Sequence, residues 1–120
     1  MALPLSPQAV VNIAVQAAEN KRAIDVTVLE IRAVSTIADY FIICGGRTDI
    51  QVQAIVENIQ KDLKEKGIIA LHREGFREAN WVLLDYGDVV IHVFQEEERQ
   101  FYNLERLWGD ARVVDVPVNA

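Results

Sequence analysis

At 120 residues, half of them hydrophobic and a quarter charged, the chain has the profile of one globular domain large enough to bury a real core. Its 18 Asp and Glu against 12 Lys and Arg leave a formal net charge of −6. That balance argues against primary binding to nucleic acid, whose affinity rests largely on neutralised phosphates, and favours a basic protein partner. No apolar run reaches the length of a membrane span, and Met1–Gln8 resembles neither a signal peptide nor a transit peptide. One cysteine, Cys44, excludes an internal disulfide and a cysteine-rich zinc site, so a reducing, cytoplasmic setting is expected.

In chain order, Ser6-Pro7 opens a helix with a good N-cap and a proline at the first helical position. Val10, Ile13, Ala14 and Ala17 give it an apolar stripe, and Asn20-Lys21-Arg22 ends it. Ile24 to Ile31 alternates β-branched residues and predicts a strand. After a short polar connection, Tyr40 to Cys44 (YFIIC) is a continuous apolar run suited to a central strand buried on both faces. Gly45-Gly46 is expected to break that strand. Thr48 and Gln51 have capping-box spacing, and Val52, Ile55, Val56, Ile59 and Leu63 continue as a helix that Gly67 stops. Ile68 to Leu71 is expected to begin another strand, which with Tyr40–Cys44 and the helix would make a right-handed βαβ unit. Arg73 to Asn80 is a polar loop.

Trp81 to Phe94 (WVLLDYGDVVIHVF) reads as a β-hairpin around Asp85-Tyr86-Gly87-Asp88. With the turn centred on Tyr86-Gly87, Leu84 faces Val89, Val82 faces Ile91 and Trp81 faces His92. Parity separates a core face (Val82, Leu84, Val89, Ile91, Val93) from a mixed face (Trp81, Leu83, Asp85, Asp88, Val90, His92, Phe94). A final helix starts near Gln95, runs through Phe101, Leu104 and Trp108 and stops at Gly109, and residues 111–120 form a loose tail. The order α-β-β-α-β-β-β-α predicts a mixed α/β domain over residues 1–110, with about five strands. All three helices are expected on one sheet face. The mixed hairpin face is then either an exposed interaction patch or the seat of the last helix, through Phe101, Tyr102, Leu104 and Trp108.

Few residues invite catalysis. The Cys44–Asp49 loop follows a strand and opens a helix, but it lacks the Lys of a phosphate-binding loop and its adjacent glycines do not match GxGxxG. Nucleotidyl transfer would need paired metal-binding carboxylates. Asp85 and Asp88 sit across a turn, where carboxylates usually hold backbone N–H groups. His72 and His92 have no metal-ligand spacing, and Cys44 reads as a small buried hydrophobe. No catalytic, cofactor or metal site is therefore assigned.

Three blocks, ADYFIICGGRTDIQVQAI (Ala38–Ile55), WVLLDYGDVVIHVF (Trp81–Phe94) and FYNLERLWGD (Phe101–Asp110), resemble the ribosomal silencing factor family, also called the iojap family, with Glu74-Gly75 fitting as well. The resemblance runs from about residue 8 to residue 110. It implies a mixed α/β fold related to nucleotidyltransferases but lacking their catalytic carboxylates. It also implies binding to a basic ribosomal protein on the intersubunit face of the large ribosomal subunit, blocking small-subunit joining and lowering translation when nutrients are scarce. Free homodimers that bind the ribosome as monomers are a further implication. By matching position, the partner surface comprises Trp81, Leu83, Asp85, Tyr86, Val90 and His92. Any contact of Arg73 or Arg77 with ribosomal RNA is secondary. A nucleotidyltransferase using the Gly45-Gly46 loop is the alternative.

Overall fold

The computed structural model describes residues 6–33, 36–97 and 112–114. Helix α1 (Pro7–Asn20) starts where the sequence places it: the Ser6 hydroxyl accepts from the Ala9 N–H at 3.2 Å, and Pro7 occupies the first turn, where no N–H is required. Helix α2 (Asp49–Glu65) is capped by Thr48, whose hydroxyl accepts from the Gln51 N–H at 3.0 Å. The reciprocal bond lands one residue earlier than in a standard capping box, from the Arg47 N–H to Gln51 Oε1 at 2.7 Å. Gln51 Nε2 donates to the Lys21 and Arg22 carbonyls, which ties the start of α2 to the end of α1. At the far end Gly67, at φ +82°, lets Ile68 N–H reach the Leu63 carbonyl while its own N–H bonds that of Lys64, the two bonds of a Schellman stop.

Strands β1 (Ile24–Glu30), β2 (Tyr40–Gly46), β3 (His72–Glu74), β4 (Trp81–Asp85), β5 (Val89–Gln95) and β6 (Arg112–Val114) form one mixed sheet in the order β3-β4-β5-β2-β1-β6. Only β2 and β5 pair in parallel; the other four pairings are antiparallel. Both described helices cover the same face. There Val10, Ala14 and Val15 of α1 and Val52, Ile55, Ile59 and Leu63 of α2 pack on Val28, Tyr40, Ile42, Cys44, Val82, Leu84, Ile91 and Val93. The opposite face carries its own buried cluster of Leu29, Ile31, Ala38, Phe41, Ile43, Val90 and Phe94, with Trp81 and Leu83 packed against it. The all-apolar YFIIC run follows from this: as a central strand, β2 sends Tyr40, Ile42 and Cys44 to one cluster and Phe41 and Ile43 to the other.

The mixed α/β class holds, with six described strands rather than about five, and several local expectations are corrected. Gly45 and Gly46 do not break β2 but complete it, pairing with Phe94 and Gln95 of β5; a Cβ on Gly46 would sit 3.0 Å from Val52 Cγ2 in the first turns of α2. Residues 68–71 are not a strand. β4 ends at Asp85, which pairs with His72 and whose carbonyl takes the Leu71 N–H at 2.7 Å, so residues 68–70 run beyond the end of the partner strand. The expected βαβ neighbours are also not adjacent: β4 and β5 lie between β2 and β3, and the parallel partner of β2 is β5. Finally, Arg112–Val114, expected in a loose tail, form β6 against β1. Of the helix expected from Gln95 to Gly109, Gln95 instead ends β5 and Glu96 and Glu97 are helical, while the rest, with Phe101, Tyr102, Leu104 and Trp108, lies outside the described residues.

Within the hairpin, Leu84 faces Ile91 and Trp81 faces Phe94, a register two residues from the expected one. The start of β5 is pulled toward β2, because the Asp88 carbonyl accepts from the Asp39 and Tyr40 N–H groups at 2.8 and 3.1 Å, and Val89 pairs with Tyr40. A slip of two residues keeps every side chain on its own face, so the division by parity stands.

One backbone contact makes a sharp test of how β4 is held. A Cβ on Gly75, at φ +79°, would lie 2.2 Å from the Trp81 carbonyl oxygen, whereas one on Gly67 would meet nothing within 4 Å. Gly75→Ala is expected to cost about 3 kcal/mol or more, and Gly67→Ala about 1 kcal/mol from the left-handed conformation alone. Urea unfolding of both variants checks this, and equal losses would refute the steric account.

Candidate functional site

The six residues of the expected partner surface all lie on the β4–β5 hairpin, but the fold sorts them into three environments. Trp81 and Leu83 are the accessible pair: alternate residues of β4 on the face away from the helices, each half-buried. Beneath them on β5 lie Val90 and His92, which are 7% and 4% exposed, so neither offers a free surface. The mixed face is therefore not a bare patch: its Trp81–Leu83 ridge is partly buried against the cluster and its β5 residues are core.

Asp85 and Tyr86 diverge at the tip. Asp85 Oδ1 accepts from the Gly87 N–H at 2.7 Å, the turn-stabilising role that carboxylates commonly take at such positions. One such bond leaves acceptor capacity on the carboxylate for a cation. Tyr86 instead packs against the helix-side cluster, across the sheet from Trp81. Its hydroxyl is buried without a hydrogen-bond partner, and burial pushes its pKa up to about 12. The structure thus joins Trp81, Leu83, Val90 and His92 in one cluster, leaves Asp85 at its rim and removes Tyr86 to the other side.

Aromatic rings support the ridge. The Trp81 indole stacks on Phe94 at 5.0 Å between centroids, and the Phe41 ring meets His92 edge-on at 4.8 Å. Trp81 faces Phe94 across the strand pair, and His92 is its diagonal neighbour, close enough for the indole N–H to donate to His92 Nδ1 at 3.1 Å. Phe41 is the contributor that sequence reasoning missed. The parity of YFIIC places it opposite Tyr40, but only the β2–β5 pairing brings it beneath the hairpin. Leu71 was also missed: it is 67% exposed, and its Cδ1 lies beside Gly87 at the hairpin tip.

Other candidate chemistry disperses. His72 is exposed on β3, while His92 is buried two strands away, and Cys44 is buried in β2. Among the described residues no three His, Cys, Asp or Glu side chains converge to hold a metal. Gly45 and Gly46 lie within a paired, buried strand and do not form an open anion-binding loop.

Comparison with known proteins shows the family and its fold. Residues 4–120 match the family described as "Ribosomal silencing factor during starvation". The chain belongs to the ribosomal silencing factor family. Ribosomal silencing factor RsfS of Bacillus subtilis is 48% identical over 112 residues, covering 93% of this chain and 95% of its relative. That of Halalkalibacterium halodurans is 46% identical, covering 93% of this chain and 96% of the other. A crystal structure of a Bacillus halodurans protein superposes with a TM-score of 0.81 at 42% identity, over 91% of this chain and 99% of that one. The family fold is thus the one described above, and the family description and these relatives' names are those of a regulatory factor.

Burial pushes the His92 pKa from its ordinary 6.5 down to about 4, so the folded protein holds the ring neutral where an unfolded chain would already bind a proton. Its contribution to stability is therefore complete above about pH 6.5 and is lost as pH falls toward 4. At roughly 1.4 kcal/mol per pH unit the loss approaches about 3 kcal/mol. Between pH 7 and pH 4.5, His92→Leu is expected to lose about 2 kcal/mol less stability than the wild type in urea titrations; parallel losses would show that His92 titrates normally.

Proposed function

We propose that this protein silences ribosomes by steric obstruction. Its hairpin ridge docks on a basic ribosomal protein at the intersubunit face of the large ribosomal subunit, and the occupied surface blocks small-subunit joining, which lowers translation when nutrients are scarce. Membership of a family described as ribosomal silencing factors is the single observation that carries this reading. Trp81 and Leu83, half-exposed on a rigid aromatic floor, supply the kind of apolar anchor that dominates interface energies. Asp85 at the rim offers a carboxylate to Lys or Arg, and the net charge of −6 steers the encounter with a basic partner. Val90 and His92 act from beneath the ridge, and Tyr86 stiffens the tip from the opposite face.

The action needs no catalytic step and no cofactor, and it belongs in the cytoplasm, where ribosomes are. No described helix is long and apolar enough to cross a membrane. In the free protein the same ridge is available to a second copy, so a homodimer would compete with ribosome binding. Contacts of Arg73 and Arg77 with ribosomal RNA are secondary: the Arg73 guanidinium already stacks 3.9 Å over the Phe76 ring and donates to Gln60.

Trp81→Ala is expected to keep a cooperative unfolding transition but to weaken co-sedimentation with isolated large subunits about 30-fold, as loss of a hot-spot aromatic worth about 2 kcal/mol requires. Raising the salt concentration should slow association of the wild type by screening its acidic surface. Undiminished co-sedimentation of the folded variant would move the docking surface elsewhere.

A further inference from the structure

His92 is an odd residue to bury. It lies on β5, flanked by β4 and β2, and is 4% exposed among the rings of Phe41, Trp81 and Phe94. Its Nδ1 accepts the Trp81 indole N–H at 3.1 Å. A neutral imidazole that accepts at Nδ1 carries its proton on Nε2. That Nε2 is buried and has no hydrogen-bond partner. A leucine or phenylalanine in this slot would bring no unpaired polar atom of its own, so packing alone does not explain a histidine. What the histidine provides, and an apolar residue cannot, is the acceptor for Trp81.

We propose that His92 is a positioning residue for docking: its Nδ1 fixes the Trp81 indole in one rotamer, so that the ridge is preorganised before the partner arrives. The inference rests on the reading that Trp81 docks on the large subunit. It differs from a contact role for His92, because so little of that ring is accessible. The tether acts on the edge of the indole while its cross-strand neighbour Phe94 stacks against it at 5.0 Å, so the hydrogen bond adds to a ring contact on the same side chain. Immobilising a side chain in advance removes a cost otherwise met on binding, worth about three- to tenfold in affinity.

The test uses the full chain and isolated large ribosomal subunits. Long-range 1H–15N correlation of the wild type should show His92 with a bare Nδ1 and a protonated Nε2; the opposite tautomer overturns the proposal without any variant. His92→Leu fills the slot without an acceptor, and His92→Asn places Oδ1 near the position of Nδ1. In His92→Leu the Trp81 indole N–H resonance, assigned by its loss in Trp81→Phe, should shift and exchange faster with water. Affinity for large subunits should fall about three- to tenfold, and His92→Asn should restore both. In a Trp81→Phe background, His92→Leu should have no further effect on binding. An unmoved indole resonance, or a shifted one with unchanged affinity, overturns the positioning role. Equal loss of affinity in the Asn variant with its indole bond intact does the same. If Trp81→Ala itself binds normally, the docking reading fails and the positioning role fails with it. Loss in Trp81→Ala without loss in His92→Leu overturns the positioning role alone.

Discussion

The parallel pairing of β2 with β5 is the constraint on which the rest of the molecule depends. It joins two strongly apolar segments of the chain, Tyr40–Gly46 and Val89–Gln95, along seven consecutive residue pairs. Both strands are covered on two faces, so each supplies side chains to both clusters at once. The helices pack on one side of this pair and the aromatic floor forms on the other. Its first rung also fixes the hairpin tip, because the Asp88 carbonyl bonds the chain entering β2 and so sets where β5 can begin to pair with β4.

A sheet with two unlike faces divides the work between them. The helix side is filled by aliphatic residues from α1 and α2 and stabilises the domain through ordinary burial. The other side concentrates rings, the buried histidine and the half-exposed Trp81–Leu83 ridge. In the docking proposed above, Trp81 on the sheet inherits the rigidity of the core, whereas the same tryptophan on a loop would have to be ordered on binding.

Local chemistry was legible in the sequence, and distant pairing was not. Ser6, Thr48 and Gly67 marked helix ends because capping depends on residues within a turn of the cap. Alternation divided the hairpin correctly, since parity survives a slip of two residues; the slip itself came from Asp88, whose partners lie on another strand. Gly45-Gly46 was read as a break because a glycine pair usually is one, yet pairing with β5 keeps the strand running and Gly46 leaves room for Val52. The same limit governed the site. Trp81 and Leu83 could be placed on a face from sequence, but the burial of Val90 and His92 depends on Phe41 and Ile43 of β2, and the turning of Tyr86 toward the helices depends on the loop's conformation.

The close approach of Gly75 to the Trp81 carbonyl links the loop after β3 to the first residue of the ridge. The hairpin that carries this residue is in turn held by the pairing of Tyr40 to Val89, which joins segments far apart in the chain. Contacts of that kind form late, after costly loop closure, and they are lost together when the domain unfolds. A half-made or damaged chain therefore presents no ordered ridge, and in the docking proposed above competence to bind is coupled to completion of the fold.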